Sequence, residues 1–118
     1  MPIPTKRDIE IPLLHLIYTL GEIVKPSYTY KPLADYFKLS FHEQNELLPS
    51  GISKRWENRV QWARLVLTQK GFLDGSTRGI WKITEKGKKE LERLGLLNKP
   101  FPQKLKTFYK REPWSYFI

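Results

Sequence analysis

The stretch Ser50–Lys70, SGISKRWENRVQWARLVLTQK, constrains the fold of this chain more than any other. Trp56, Val60, Ala63 and Leu67 recur at spacings of four, three and four, which places them on one side of a helix of 3.6 residues per turn. Half a turn round the wheel lie Arg55, Asn58, Gln61, Trp62 and Leu65, with Lys54 at the start and Arg59 on the flank. One side therefore demands a core, and the other presents cations and amides. Ser53 is the expected N-cap and Gly71 the expected left-handed stop, so the helix is punctuated at both ends. A side face of this kind supplies the residue types that meet phosphates and base edges.

The rest of the chain reads as a mounting for that helix. Residues 1–10 lack periodicity and are expected to be a loose lead-in. Pro12 suits the first turn of a helix in which Leu13, Leu14, Ile17, Tyr18 and Leu20 form an apolar face closed by Gly21. A lone His15 on that helix has no second histidine three or four residues away, so it reads as a packing residue and not as a metal ligand. Ile23 and Val24 can hold a short extended piece, and Thr29 caps a second helix running to about Leu39. Ser40-x-x-Glu43 is a capping box that opens a short helix through Leu47 and Leu48.

After the central helix, Phe72–Leu73 and Ile80–Ile83 flank the polar, glycine-bounded turn Asp74–Gly79, which is hairpin grammar. Thr84 caps a last helix carrying Leu91, Leu94 and Leu97, with Gly87 in its first turn leaving room for another backbone. The order helix, helix, short helix, basic helix, basic hairpin, helix is that of a winged helix-turn-helix. The expected fold class is thus α+β, mainly α, with a small β-hairpin wing and an extra C-terminal segment. We divide the chain into lead-in 1–10, winged-helix domain 11–97, and a basic, aromatic tail 98–118. Residues 99–118 hold six of the sixteen aromatics, more than a free tail usually carries. The three readings of the tail are a helix over 103–110 folded back through Leu105, Phe108 and Tyr109, a homodimer contact, and an arm stacking on nucleic acid.

Charge narrows the function. Residues 1–49 balance at −1, residues 50–90 at +6 and residues 99–118 at +4, so the net +9 is concentrated on the central helix and the segments C-terminal to it. Localised cations on a chain of pI about 9.8 are the footprint of a polyanion binder. The absence of cysteine removes disulfide frameworks, thiolate metal sites and cysteine nucleophiles together, and is compatible with a cytoplasmic setting. The apolar run Ile11–Leu20 is too short to span a membrane and carries His15 and Tyr18 in its middle.

Particular blocks also carry a resemblance. Leu47–Gly51 (LLPSG), Asn58–Leu67 (NRVQWARLVL), Lys70–Leu73 (KGFL) and Arg78–Gly87 (RGIWKITEKG) are similar to the N-terminal winged-helix domain of Mrr-type restriction proteins, over roughly Ile11–Leu97. That resemblance implies a module that binds double-stranded DNA, commonly joined to a nuclease that cuts modified DNA. It does not carry cleavage over. Such a nuclease needs an Asp followed by an acidic-x-Lys triplet to hold a metal and activate water, and no Asp or Glu here has Lys two residues on. Gly87-Lys88 is followed by Lys89, which also removes a phosphate-binding GK[ST] loop.

No catalytic, metal or cofactor site is therefore expected. The candidate DNA-binding residues are Lys54, Arg55, Asn58, Arg59, Gln61, Trp62, Lys70, Arg78 and Lys82. Arg55, Asn58 and Gln61 suit base edges, because Arg forks onto guanine and Asn or Gln onto adenine. Lys54, Arg59, Arg78 and Lys82 suit the backbone, with Lys70 at the base of the wing. Competing roles stand beside these: Arg59 and Arg64 can pair with Glu57, Glu85 or Glu90 inside the fold, and Trp62 can pack under the wing or the tail. Expected partners are double-stranded DNA, a second copy of the chain, and a nuclease domain or subunit outside these 118 residues. A transcription regulator and a protein-interaction winged helix are the alternatives.

Overall fold

The structure is a computed structural model that describes residues 3–101. Its elements run α1 (Lys6–Thr19), β1 (Ile23–Val24), a 3₁₀ turn (Pro26–Tyr28), α2 (Tyr30–Tyr36), α3 (Phe41–Asn45), α4 (Arg55–Gln69), β2 (Leu73–Asp74), β3 (Trp81–Ile83) and α5 (Glu85–Arg93). Five helices with a small antiparallel sheet make the α+β, mainly helical fold that the sequence leads one to expect, and β2–β3 is its hairpin wing.

The core is where the helical stripes meet. Trp56, Val60, Ala63 and Leu67 of α4 are buried against Ile9, Leu13, Leu14 and Ile17 of α1 and Leu33, Ala34 and Phe37 of α2. Trp56 is only 1% exposed and stacks edge-on to Phe37, with ring centroids 5.9 Å apart. An indole is large enough to fill the three-helix junction, and its one donor is satisfied because Trp56 Nε1 donates to the Tyr30 carbonyl at 2.9 Å.

Strand β3 lies in the middle of the sheet, in the order β1-β3-β2, with Val24 opposite Trp81 and Leu73 opposite Ile83. The wing is thus braced by β1 as well as by its own partner. At the far end of α4, Gly71 takes φ +83°, and Phe72 N–H turns back to the Leu67 carbonyl at 2.9 Å, which closes the helix as expected. Thr84 caps α5 by accepting the Gly87 N–H at 3.1 Å. A Cβ at Gly87 would lie 2.4 Å from the Phe72 carbonyl oxygen, so the close approach expected at this glycine is present.

Three expectations are corrected. The lead-in is not loose: α1 begins at Lys6, well before Pro12, which sits inside the helix. Thr5 and Asp8 form a capping box there, and burial of Ile3 and Ile9 offsets the one hydrogen bond that proline removes. The N-cap of α4 is Lys54, not Ser53, and it makes no side-chain cap. The loop does that work instead, since Arg55 N–H donates to the Glu46 carbonyl at 2.8 Å and Leu47 bridges to Lys54. For the same reason α3 keeps its Ser40–Glu43 capping box yet stops at Asn45, leaving Leu47 and Leu48 to that strap. The start of the tail lies on the body. Phe101 is buried against Tyr36 and His15, its N–H donates to Thr19 Oγ1 at 3.2 Å, and His15 Nε2 donates to the Lys99 carbonyl at 2.6 Å. The readings for Leu105, Phe108 and Tyr109 lie outside the described residues.

Candidate nucleic-acid interface

With its stripe buried, α4 turns Asn58, Gln61, Trp62 and Leu65 outward, and Trp62 and Leu65 are 49% and 36% exposed. Asn58 is half-buried on this face and makes no side-chain hydrogen bond among the described residues, so its amide is available in full. Gln61 is exposed, and its Nε2 donates to the Tyr30 hydroxyl at 2.9 Å. That leaves its carbonyl oxygen and second N–H for another partner.

Tyr30 has no distinguishing sequence pattern, yet it ties three elements together. Its carbonyl holds Trp56, its hydroxyl holds Gln61, and its ring meets Trp81 of the wing edge-on at 6.5 Å. Burial raises its pKa, so the hydroxyl stays neutral over the whole ordinary range and accepts from Gln61 while remaining a donor. Such a link comes from tertiary packing between residues far apart in the chain, and no local spacing announces it.

The cations fall into two groups. Arg78 and Lys82 are exposed on the wing. Lys82 lies opposite Asp74 in the hairpin, and Asp74 has its pKa lowered, first by the Ser76 N–H at 2.8 Å and also by the nearby Lys82 charge. Arg64 lies over the Trp81 ring at 5.7 Å rather than against a carboxylate, which packs the wing on α4. The second group is engaged within the fold. Lys54 is 4.0 Å from Glu57, Arg55 Nε is 3.7 Å from Glu46, and Arg59 Nη1 donates to the Pro4 carbonyl at 2.8 Å. Lys70, expected at the base of the wing, instead has its ammonium 2.7 Å from Glu10 Oε1 on α1.

Half-exposed surface ion pairs of this sort are worth about 1 kcal/mol or less, so a phosphate can displace the acidic partners of Lys54 and Arg55. The Lys70 pair differs, because the Glu10 side chain is only 12% exposed and lies between α1 and α4. Two residues of the expected lead-in also reach this surface. Lys6 Nζ sits 5.5 Å from the Trp62 ring centroid, and Thr5 lies beside it. The sequence signal for them is Thr5-x-x-Asp8, a box with Asp in place of the usual Glu.

Among the described residues no group of three His, Asp or Glu side chains could hold a metal ion, and no helix is long and apolar enough to cross a membrane. Neither a curated protein nor a solved structure matches the chain. The model of one family, the Mrr N-terminal domain, matches residues 7–93, a span that starts with α1 and closes with α5. That match takes in the central helix, the wing and the helices that carry them, and the family's domain is an N-terminal one that is not itself the catalytic nuclease domain. The chain belongs to the Mrr N-terminal domain family.

Proposed function

We propose that this domain binds double-stranded DNA as the targeting module of a restriction system, with α4 entering the major groove and the wing gripping the backbone. The observation that carries the proposal is the exposed, amide-bearing face of α4, on a helix whose Arg64 packs on Trp81 of a wing that itself bears the exposed cations Arg78 and Lys82. A helix fits the major groove, where Asn58 and Gln61 can each pair with an adenine edge, and the apolar side chain of Leu65 can meet base methyl groups. Arg78, Lys82 and Lys54 supply phosphate contacts, and Arg55 joins the base contacts once it leaves Glu46.

Cleavage, on this reading, belongs to a nuclease domain or subunit outside these residues, and a second copy of the chain would double the contacts on a symmetric site. A gel-shift panel tests the proposal: unmodified, methylated and hydroxymethylated duplexes, with single-stranded DNA and duplex RNA as controls. Retardation of duplex DNA ahead of both controls supports it. Equal retardation of all three nucleic acids, or of none, rejects it in favour of a non-selective polyanion binder or a protein-docking winged helix.

A further inference from the structure

The flank of α4 away from the wing carries a surface that neither the wing nor the base-reading face explains. Arg59 lies about 140° round the helix from Arg64, which packs on the wing, so the two mark opposite borders of the exposed face. On the Arg59 side, the Pro4 carbonyl accepts from Arg59 Nη1 at 2.8 Å and draws the start of α1 against α4. Lys6 then lies over Trp62 at 5.5 Å. Thr5, Lys6, Arg59 and Trp62 together line a shallow, open depression of about 340 Å³.

We propose that this depression seats one phosphodiester and its deoxyribose, on the DNA strand opposite the one gripped by the wing. Lys6 Nζ is an exposed cation that lies over the indole and forms no ion pair among the described residues, so it can swing onto a phosphate without breaking one. Arg59 gives one N–H to Pro4 and keeps the rest of its five donors. The half-exposed face of Trp62 offers an apolar wall to a sugar. The Asp8 carboxylate in the same turn opposes an anion, but its Oδ2 already accepts from both the Thr5 N–H and the Thr5 hydroxyl. Two cationic borders on either side of one helix give a clamp that fixes how deep α4 sits in the groove.

This inference rests on the duplex-binding reading, and the test separates the two. Fluorescence anisotropy of a labelled duplex is followed over a salt series for wild type, Lys6→Ala, Lys6→Arg and Trp62→Phe. Removing one phosphate contact lowers the magnitude of the slope of log affinity against log salt by about 0.9 in Lys6→Ala, and Lys6→Arg restores it. Affinity falls roughly tenfold and by the same factor for every base sequence, as loss of a charge-assisted hydrogen bond to phosphate requires. Trp56 and Trp81 are buried, so in a Trp114→Phe background Trp62→Phe also removes much of the tryptophan quenching caused by DNA. Phosphate-ethylation interference with the wild-type chain needs no variant, and it finds an essential phosphate on the strand that the wing does not touch. A wild type that binds no duplex overturns both readings. Duplex binding with an unchanged slope in Lys6→Ala, or interference confined to the wing strand, overturns this inference alone.

Discussion

Replacing Gly87 with alanine sets two effects of opposite sign against each other. In an exposed helix interior the exchange stabilises by about 0.8–1 kcal/mol, because alanine loses less backbone entropy on folding. At this position the new Cβ would lie 2.4 Å from the Phe72 carbonyl oxygen and 2.8 Å from Ile83 Cγ1. Neither neighbour can yield cheaply. The Phe72 carbonyl accepts the Thr84 N–H at 3.0 Å, and Ile83 is buried in β3. Helix α5 must retreat by roughly 1 Å to reach ordinary contact distance. Overpacking of that size costs about 1–3 kcal/mol, and stretching the Thr84–Phe72 hydrogen bond adds about 1 kcal/mol. Against the propensity gain, the net loss is about 1–3 kcal/mol. For a chain of this length that lowers Tm by roughly 4–12 °C. Thermal and urea unfolding followed by far-UV circular dichroism measures it. A Tm equal to or above that of wild type would mean that α5 is not pressed on the wing, and the packing argument would fail.

Two further predictions concern the turns and caps. Thr5→Ala removes a capping box and destabilises the domain by about 1 kcal/mol in a urea titration, whereas Ser53→Ala, whose side chain caps nothing, leaves the midpoint unchanged. Equal losses at both positions would restore Ser53 as the cap. Because Asp74 titrates below its ordinary value, its hold on Ser76 is complete above the usual aspartate range and is lost as pH falls through the lowered folded value. The Ser76 amide shift in an NMR titration should follow that low transition and lose it in Asp74→Asn. A Ser76 amide that titrates with the ordinary aspartates contradicts the assignment.

Much of this architecture can be read from local pattern. The stripe Trp56–Val60–Ala63–Leu67 fixes the buried side of α4 because helical periodicity leaves only one face for a core, and every one of these residues is buried. Gly71, Thr84 and Gly87 are legible because a positive φ, a cap and a backbone approach each demand a particular side chain. Pro12 misleads for a physical reason. Proline at a first turn and proline within a helix look alike in sequence, and only the burial of Ile9 on the preceding turn separates them.

The interface is less legible, since side-chain partners are set by what packs nearby. Lys70 faces Glu10 across 60 residues, and Arg59 meets Pro4 across 55. Neither spacing is periodic, so a wheel places both cations at the edge of a face without naming their partners. Lys6 and Thr5 enter the surface only because α1 starts early enough to lie along α4.

Charge reversal on the wing, read out as affinity for duplex DNA, tests the placement of this domain on its ligand most directly. Arg78→Glu changes an exposed side chain outside the core, so the fold is retained while the proposed phosphate contact becomes a repulsion. At physiological salt, Kd for a duplex should rise more than about tenfold relative to wild type. Equal Kd values for the two proteins would contradict the placement of the wing on DNA.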